Sequence, residues 1–144
     1  MTQLVLQIVT EAFQKIGVVD ETAAPSPAQG ANGLQVLNDM LANEAADGMR
    51  LGWWPQASLA NTAPLRDQDI YGVKLLLAAN LAPLYGIDLT KSNPALLEIA
   101  SEAKRQMVKR SIRYFESDLG ELQRPQAGPW GGAGLARLTF VILD

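Results

Sequence analysis

The sequence of 144 residues contains no cysteine and no histidine. Without thiols there is no disulfide and no thiolate nucleophile. Without imidazole the commonest general base near neutral pH is missing, and so is the commonest transition-metal ligand. A zinc site would lack its usual nitrogen and sulfur donors. Positive charge is scarce as well: 12 Lys and Arg stand against 15 Asp and Glu, a net charge of −3. Tight, sequence-independent binding of nucleic acid needs clustered cations that release counterions, and this balance argues against it. Long hydrophobic runs are also lacking. The most apolar stretch, GVKLLLAANLAPLYG, holds Lys74, Asn80 and Pro83 and is too short and interrupted to span a bilayer, so no membrane partner is expected. The N-terminus shows no basic leader ahead of a long apolar run, and the chain reads as a product made in the cytoplasm. No cofactor or metal is expected.

What is present is helical periodicity. Leu4, Val5, Ile8, Val9, Ala12, Phe13 and Ile16 recur at the spacing of one helix face. They predict a first helix over 2–16, with Thr2 as cap and Gly17 as the terminating glycine. The polar, Pro-containing segment DETAAPSPAQG follows, then a helix over about 28–46 with Leu34, Leu37, Leu41 and Ala45 as its stripe, stopped by Asp47-Gly48. Residues 49–65 break the pattern and read as a long extended loop, a feature that is often functional in a small domain. A third helix is predicted from Asp67 as N-cap, with Pro83 ending or kinking it, and a fourth from Asn93-Pro94 to about Leu119. The expected fold is all-α: an antiparallel bundle of about four helices, with an extended loop and an extended C-terminal arm. Residues 1–120 form the helical domain and 121–144 a Gly/Pro-rich hinge and arm.

Few residues suggest chemistry. Glu44 and Asp47 sit one helical turn apart, and a carboxylate pair can hydrolyse a glycosidic bond, but their spacing alone also describes a solvated helix end. Gly131, Gly132 and Gly134 lack the Lys-Ser/Thr of a phosphate-binding loop and read as a hinge. In the fourth helix Arg105, Lys109 and Arg113 form a stripe, with Arg110 beside it and Ala100, Ala103, Met107 and Phe115 opposite. This face can meet DNA phosphates or an acidic neighbour, although Glu98, Glu102 and Glu116 dilute its charge and fit a solvated face with ion pairs.

Two other features suggest interaction. Trp53 and Trp54 are adjacent in the non-helical stretch, where neighbouring side chains point to opposite sides. One can cover the domain while the other projects as an interface anchor; equally, both can close one end of the bundle. After the hinge, Leu138, Phe140, Val141, Ile142 and Leu143 form a strand-like run that would be an aggregation hazard if exposed. Strand addition to a partner satisfies such a segment, and the glycines favour that reading. The alternative is that it folds back on its own helices.

The order of these features resembles the head-to-tail adaptor proteins of short-tailed bacteriophages, the packaged-DNA stabilisation family. The resemblance lies in LVLQIVTEAFQKIGVVDETAAPSPAQGANGLQVLNDMLANEAADGMRLGWW and in the later LAANLAPLYGIDLT, and covers most of residues 3–120. It implies a non-enzymatic, mostly helical subunit of the virion's head-to-tail junction. Many copies, typically twelve, would form a ring below the portal protein. Such a ring would extend the channel for packaged DNA, help retain that DNA and offer a platform to tail nozzle or tail-fibre proteins. The arm would reach the portal or a neighbouring copy. The alternatives from other classes are a virion-associated peptidoglycan hydrolase and a weak DNA-binding helical module.

Overall fold

The computed structural model describes residues 2–122, with side chains as far as Ile112. Five helices follow in order: α1 (Val5–Lys15), α2 (Pro27–Ala46), α3 (Asp67–Leu84), α4 (Leu89–Ser92) and α5 (Pro94–Leu122). The single β feature among the described residues is an isolated antiparallel bridge between Leu4 and Thr62, so the fold is all-α. Among the same residues no helix is long and apolar enough to cross a membrane.

Helix α3 occupies the centre. Every residue from Gly72 to Ala78 is buried, and a helix buried on all sides must be surrounded by others. Helix α5 packs antiparallel to it. Asp69 meets Arg110 at one end, Gly72 faces Met107 further along, and Ala79 and Leu97 share a hollow beyond that. Helix α2 is also antiparallel to α3, since Asn32 near its start donates to the Tyr85 hydroxyl just past the end of α3 (3.1 Å). The Tyr85 ring in turn meets Phe13 of α1 edge-on, with centroids 5.2 Å apart. Phe13, Ile8, Val9, Leu37, Val73, Leu77, Leu81 and Met107 are fully buried and fill the space between α1, α2, α3 and α5.

Several boundaries differ from the sequence reading. Helix α1 begins at Val5, not at Thr2. Its first free N–H groups are taken by distant backbone: Val5 and Leu6 donate to the carbonyls of Asn61 and Leu59, both at 2.9 Å. The Gln7 side chain accepts from Leu4 N–H. Ser26 caps α2 by accepting from Gln29 N–H, with Pro27 at the first helical position, so α2 starts slightly earlier than predicted. Arg66, not Asp67, occupies the cap position of α3. Pro83 lies inside the last turn of α3 without ending it. The short α4 is absent from the sequence reading; Asp88 begins it by accepting from Thr90 N–H. The Thr90 side chain hydrogen bond holds the Asp88 carboxyl below its ordinary pKa.

Gly17 ends α1 at φ 76°, a conformation that suits glycine. Val18 N–H returns to Phe13 O, and Gly17 N–H to Gln14 O, the paired closure of a Schellman end. Helices α2 and α3 close by the same bond pattern through Gly48 and Gly86.

The inward face of α2 is Gly30, Gly33, Leu37, Met40 and Leu41; Ala45 is exposed. Gly33 sets the distance between α1 and α2, because a Cβ built there falls 2.5 Å from Val9 Cγ1 and 3.1 Å from the Phe13 ring. Gly33→Ala therefore tests this contact through its sign. Helix propensity alone would raise stability by about 1 kcal/mol, whereas overpacking costs about 1–3 kcal/mol. Urea unfolding is expected to show a net loss, and a gain would mean that α1 and α2 have room to spare.

Candidate functional site

The extended segment between α2 and α3 is held by a polar clamp. Asn38 of α2 uses both ends of its amide on one residue of the loop: Nδ2 donates to Gln56 O, and Oδ1 accepts from Gln56 N–H, each at 2.9 Å. This is the pairing one strand would give another, supplied by a side chain. Gln56 is buried at 7% exposure, and its own amide is used twice. It donates to Trp54 O at 2.8 Å and accepts from Asn61 Nδ2 at 3.2 Å. Buried amides stabilise only when satisfied in this way. The far end of the loop pairs with the N-terminal segment, with Ala63 N–H on Gln3 O at 2.8 Å. At the near end, Ser111 of α5 donates to Arg50 O at 3.2 Å.

The two tryptophans lie on this frame. Trp53 is half-buried and packs against the core, with its indole N–H buried and lacking a hydrogen-bond partner. Trp54 is 62% exposed. It stands beside an open groove of about 740 Å³ lined by Leu51, Ala63, Pro64 and Leu65, with Arg50 and Thr62 also on its walls. An exposed indole on a pinned backbone is preorganised for a partner, because little conformational freedom remains to be lost on binding.

The predicted basic face divides when its side chains are placed. Arg110 is directed at α3: its Nε donates to Asp69 Oδ1 (3.2 Å) and its Nη2 to Gln68 O (3.2 Å). Asp69 is fully buried and takes a second guanidinium, from Arg66, at 2.9 Å. This carboxylate thus joins the end of the loop, the first turn of α3 and the middle of α5, and Arg110 has an internal role. Arg105 is exposed and lies 3.4 Å from Glu102, a solvent-screened pair of small energetic value. Lys109 is exposed. The backbone of Arg113 and Phe115 belongs to α5 but their side chains are not among those described, and the hinge glycines and Leu138, Phe140, Val141, Ile142 and Leu143 lie outside the described residues.

Glu44 and Asp47 do not form a carboxylate pair facing a cleft. Glu44, with its side chain 13% exposed, accepts from Lys104 Nζ at 2.8 Å and ties α2 to α5. Asp47 is the exposed C-cap residue of α2.

Sequence reasoning missed Asn38 and Gln56. One trace was visible: Asn38 follows Leu34 by four residues and so interrupts the inner edge of the α2 stripe with a polar group. Nothing local marks Gln56 as its partner across 18 positions. No protein-family model matches the chain, and no curated protein matches it.

Asn38→Ala removes both bonds and strands a buried N–H and C=O, a loss of about 1–3 kcal/mol. Hydrogen exchange of the amides in residues 50–63 is expected to accelerate while α3 stays protected. Unchanged exchange in the loop would show that the clamp does not hold it.

Proposed function

We propose that the chain is a structural adaptor of a phage head-to-tail junction, assembling as a ring below the portal and lining the exit channel for packaged DNA. The observation that carries this reading is Trp54, exposed on a loop whose backbone is bonded to α2, to the N-terminal segment and to α5. A large aromatic side chain fixed in this way is what an interface hot spot requires. The order of sequence motifs supplies the phage assignment. The polar ties Lys74–Glu11 (2.6 Å) and Lys104–Glu44 (2.8 Å) support the reading of a unit that assembles without rearranging its helices.

In this reading the arm residues Leu138, Phe140, Val141, Ile142 and Leu143 engage the portal or a neighbouring copy. Tail nozzle or tail-fibre proteins dock on the ring below. Arg105, Lys109 and Arg113 face DNA or an acidic neighbour. The overall charge of −3 suits a channel that must release DNA, since mild repulsion at the wall prevents tight binding.

The test mixes the purified full chain with portal rings of the same phage and images the product by electron microscopy. The expected result is one adaptor ring per portal. Trp54→Ala is expected to raise the protein concentration needed for ring formation by about tenfold or more, the scale of a hot-spot truncation, with helical circular dichroism unchanged. Portal rings that remain bare at every protein concentration would refute the adaptor reading. Normal rings from the Trp54→Ala chain would remove Trp54 from the interface.

A further inference from the structure

We infer that in the free chain the groove beside Trp54 is the seat of the chain's own apolar segment 138–143, which is stowed there until a partner takes it. The groove needs an apolar occupant: Leu51, Ala63 and Leu65 line it from the buried side, and Pro64 and the exposed face of Trp54 complete it. The sequence carries 22 residues beyond α5 (122 to 144). Among them Leu138, Phe140, Val141, Ile142 and Leu143 are the concentrated apolar run.

The path is short enough. Ser111 is bonded to Arg50, so α5 passes directly beside the groove. The 11 residues from Ser111 to Leu122 advance the helix by about 16 Å at about 1.5 Å per residue. The 15 residues 123–137 can reach roughly 50 Å when extended, about three times that distance. Pro125, Pro129 and the glycines 128, 131, 132 and 134 suit a reversal of direction in this stretch.

Concentration then decides the occupant. A segment tethered by a linker long enough to span the gap meets its site at an effective concentration of about a millimolar. A second copy of the chain in a micromolar solution is about a thousandfold more dilute. The chain's own arm therefore fills the groove in the free state, and covers Trp54 and its own apolar residues together. Inside a crowded assembly a neighbour's arm can exchange with it, as in domain swapping. None of this rests on the adaptor reading, and its test contains no portal.

The chain has no cysteine, so two introduced thiols report on each other alone. Thr62→Cys, exposed on the groove wall, is combined with Val141→Cys in one full-length chain; a second chain carries Thr62→Cys with Thr139→Cys. At low micromolar concentration a short bifunctional maleimide is expected to give a closed monomer, which runs faster on a denaturing gel. Adding Trp54→Ala is expected to lower that yield several-fold while circular dichroism stays helical. Cross-linked dimers from a mixture of chains carrying Thr62→Cys alone and Val141→Cys alone, together with no closed monomer from the doubly substituted chains, would make a second copy the occupant and overturn the proposal. Open monomer from both chains, each thiol modified separately with no closure, or a yield indifferent to Trp54→Ala, would overturn it as well.

Discussion

From Gly72 to Ala78 helix α3 has no side that water can cover, and that single fact dictates the arrangement of everything around it. A helix this rich in Leu, Val and Ala around its whole circumference cannot lie on a surface; it has to be enclosed. Helices α1, α2 and α5 supply the enclosure, each from a different direction. Small residues admit the close approaches: Gly72 receives Met107 of α5, and Gly33 receives Val9 and Phe13 between α1 and α2. The loop between α2 and α3 follows from the same requirement. It must carry the chain from the outer layer back to the centre, and it does so along a course fixed by hydrogen bonds to its neighbours.

Enclosing α3 brings two charged groups inside, Lys74 and Asp69. Lys74 is 6% exposed and reaches Glu11, whose own side chain is 44% exposed. One partner therefore keeps contact with water, which limits the desolvation penalty that buried ion pairs carry. Asp69 is enclosed completely and receives two guanidinium groups, each about a third exposed. The fold thus places its buried charges at the ends of long side chains that lead outward. Such pairs add little net stability compared with an apolar replacement, but they fix the register of α5 against α3, because Arg110 reaches Asp69 at one setting of the two helices.

Local patterns made the helices and most of their ends legible in the sequence. Gly17 and Gly48 mark stops that the backbone uses, and Asn93-Pro94 marks a start. The α3 stripe was too narrow in the sequence reading. Ile70, Val73, Leu77 and Leu81 suggest one buried face, while Leu75, Leu76 and Lys74 are buried too, since enclosure by three helices is a tertiary property. The burial of Gly30 and Gly33 was hidden for a related reason: a residue without a side chain contributes nothing to a hydrophobic pattern, though its absence of bulk is what the contact uses. Arg110 looked like surface charge because its partner, Asp69, lies 41 positions away. Extended backbone sends the adjacent tryptophans to opposite sides, and that much was legible; that Trp53 is the one on the core and Trp54 the exposed one was not, nor was the Asn38–Gln56 clamp, because pairings across distant positions leave no periodicity.

The way α1 is capped has a consequence for the order in which the chain acquires structure. An isolated helix of 11 residues is marginal in water, because nucleation is costly and few bonds repay it. The first turn of α1 is completed by the carbonyls of Leu59 and Asn61, more than 50 residues further along. While the chain is being synthesised, the N-terminal helix therefore waits for that segment to emerge. Its opening turn closes in the same event that lays the loop across it, so the first helix in the sequence is not the first to become secure.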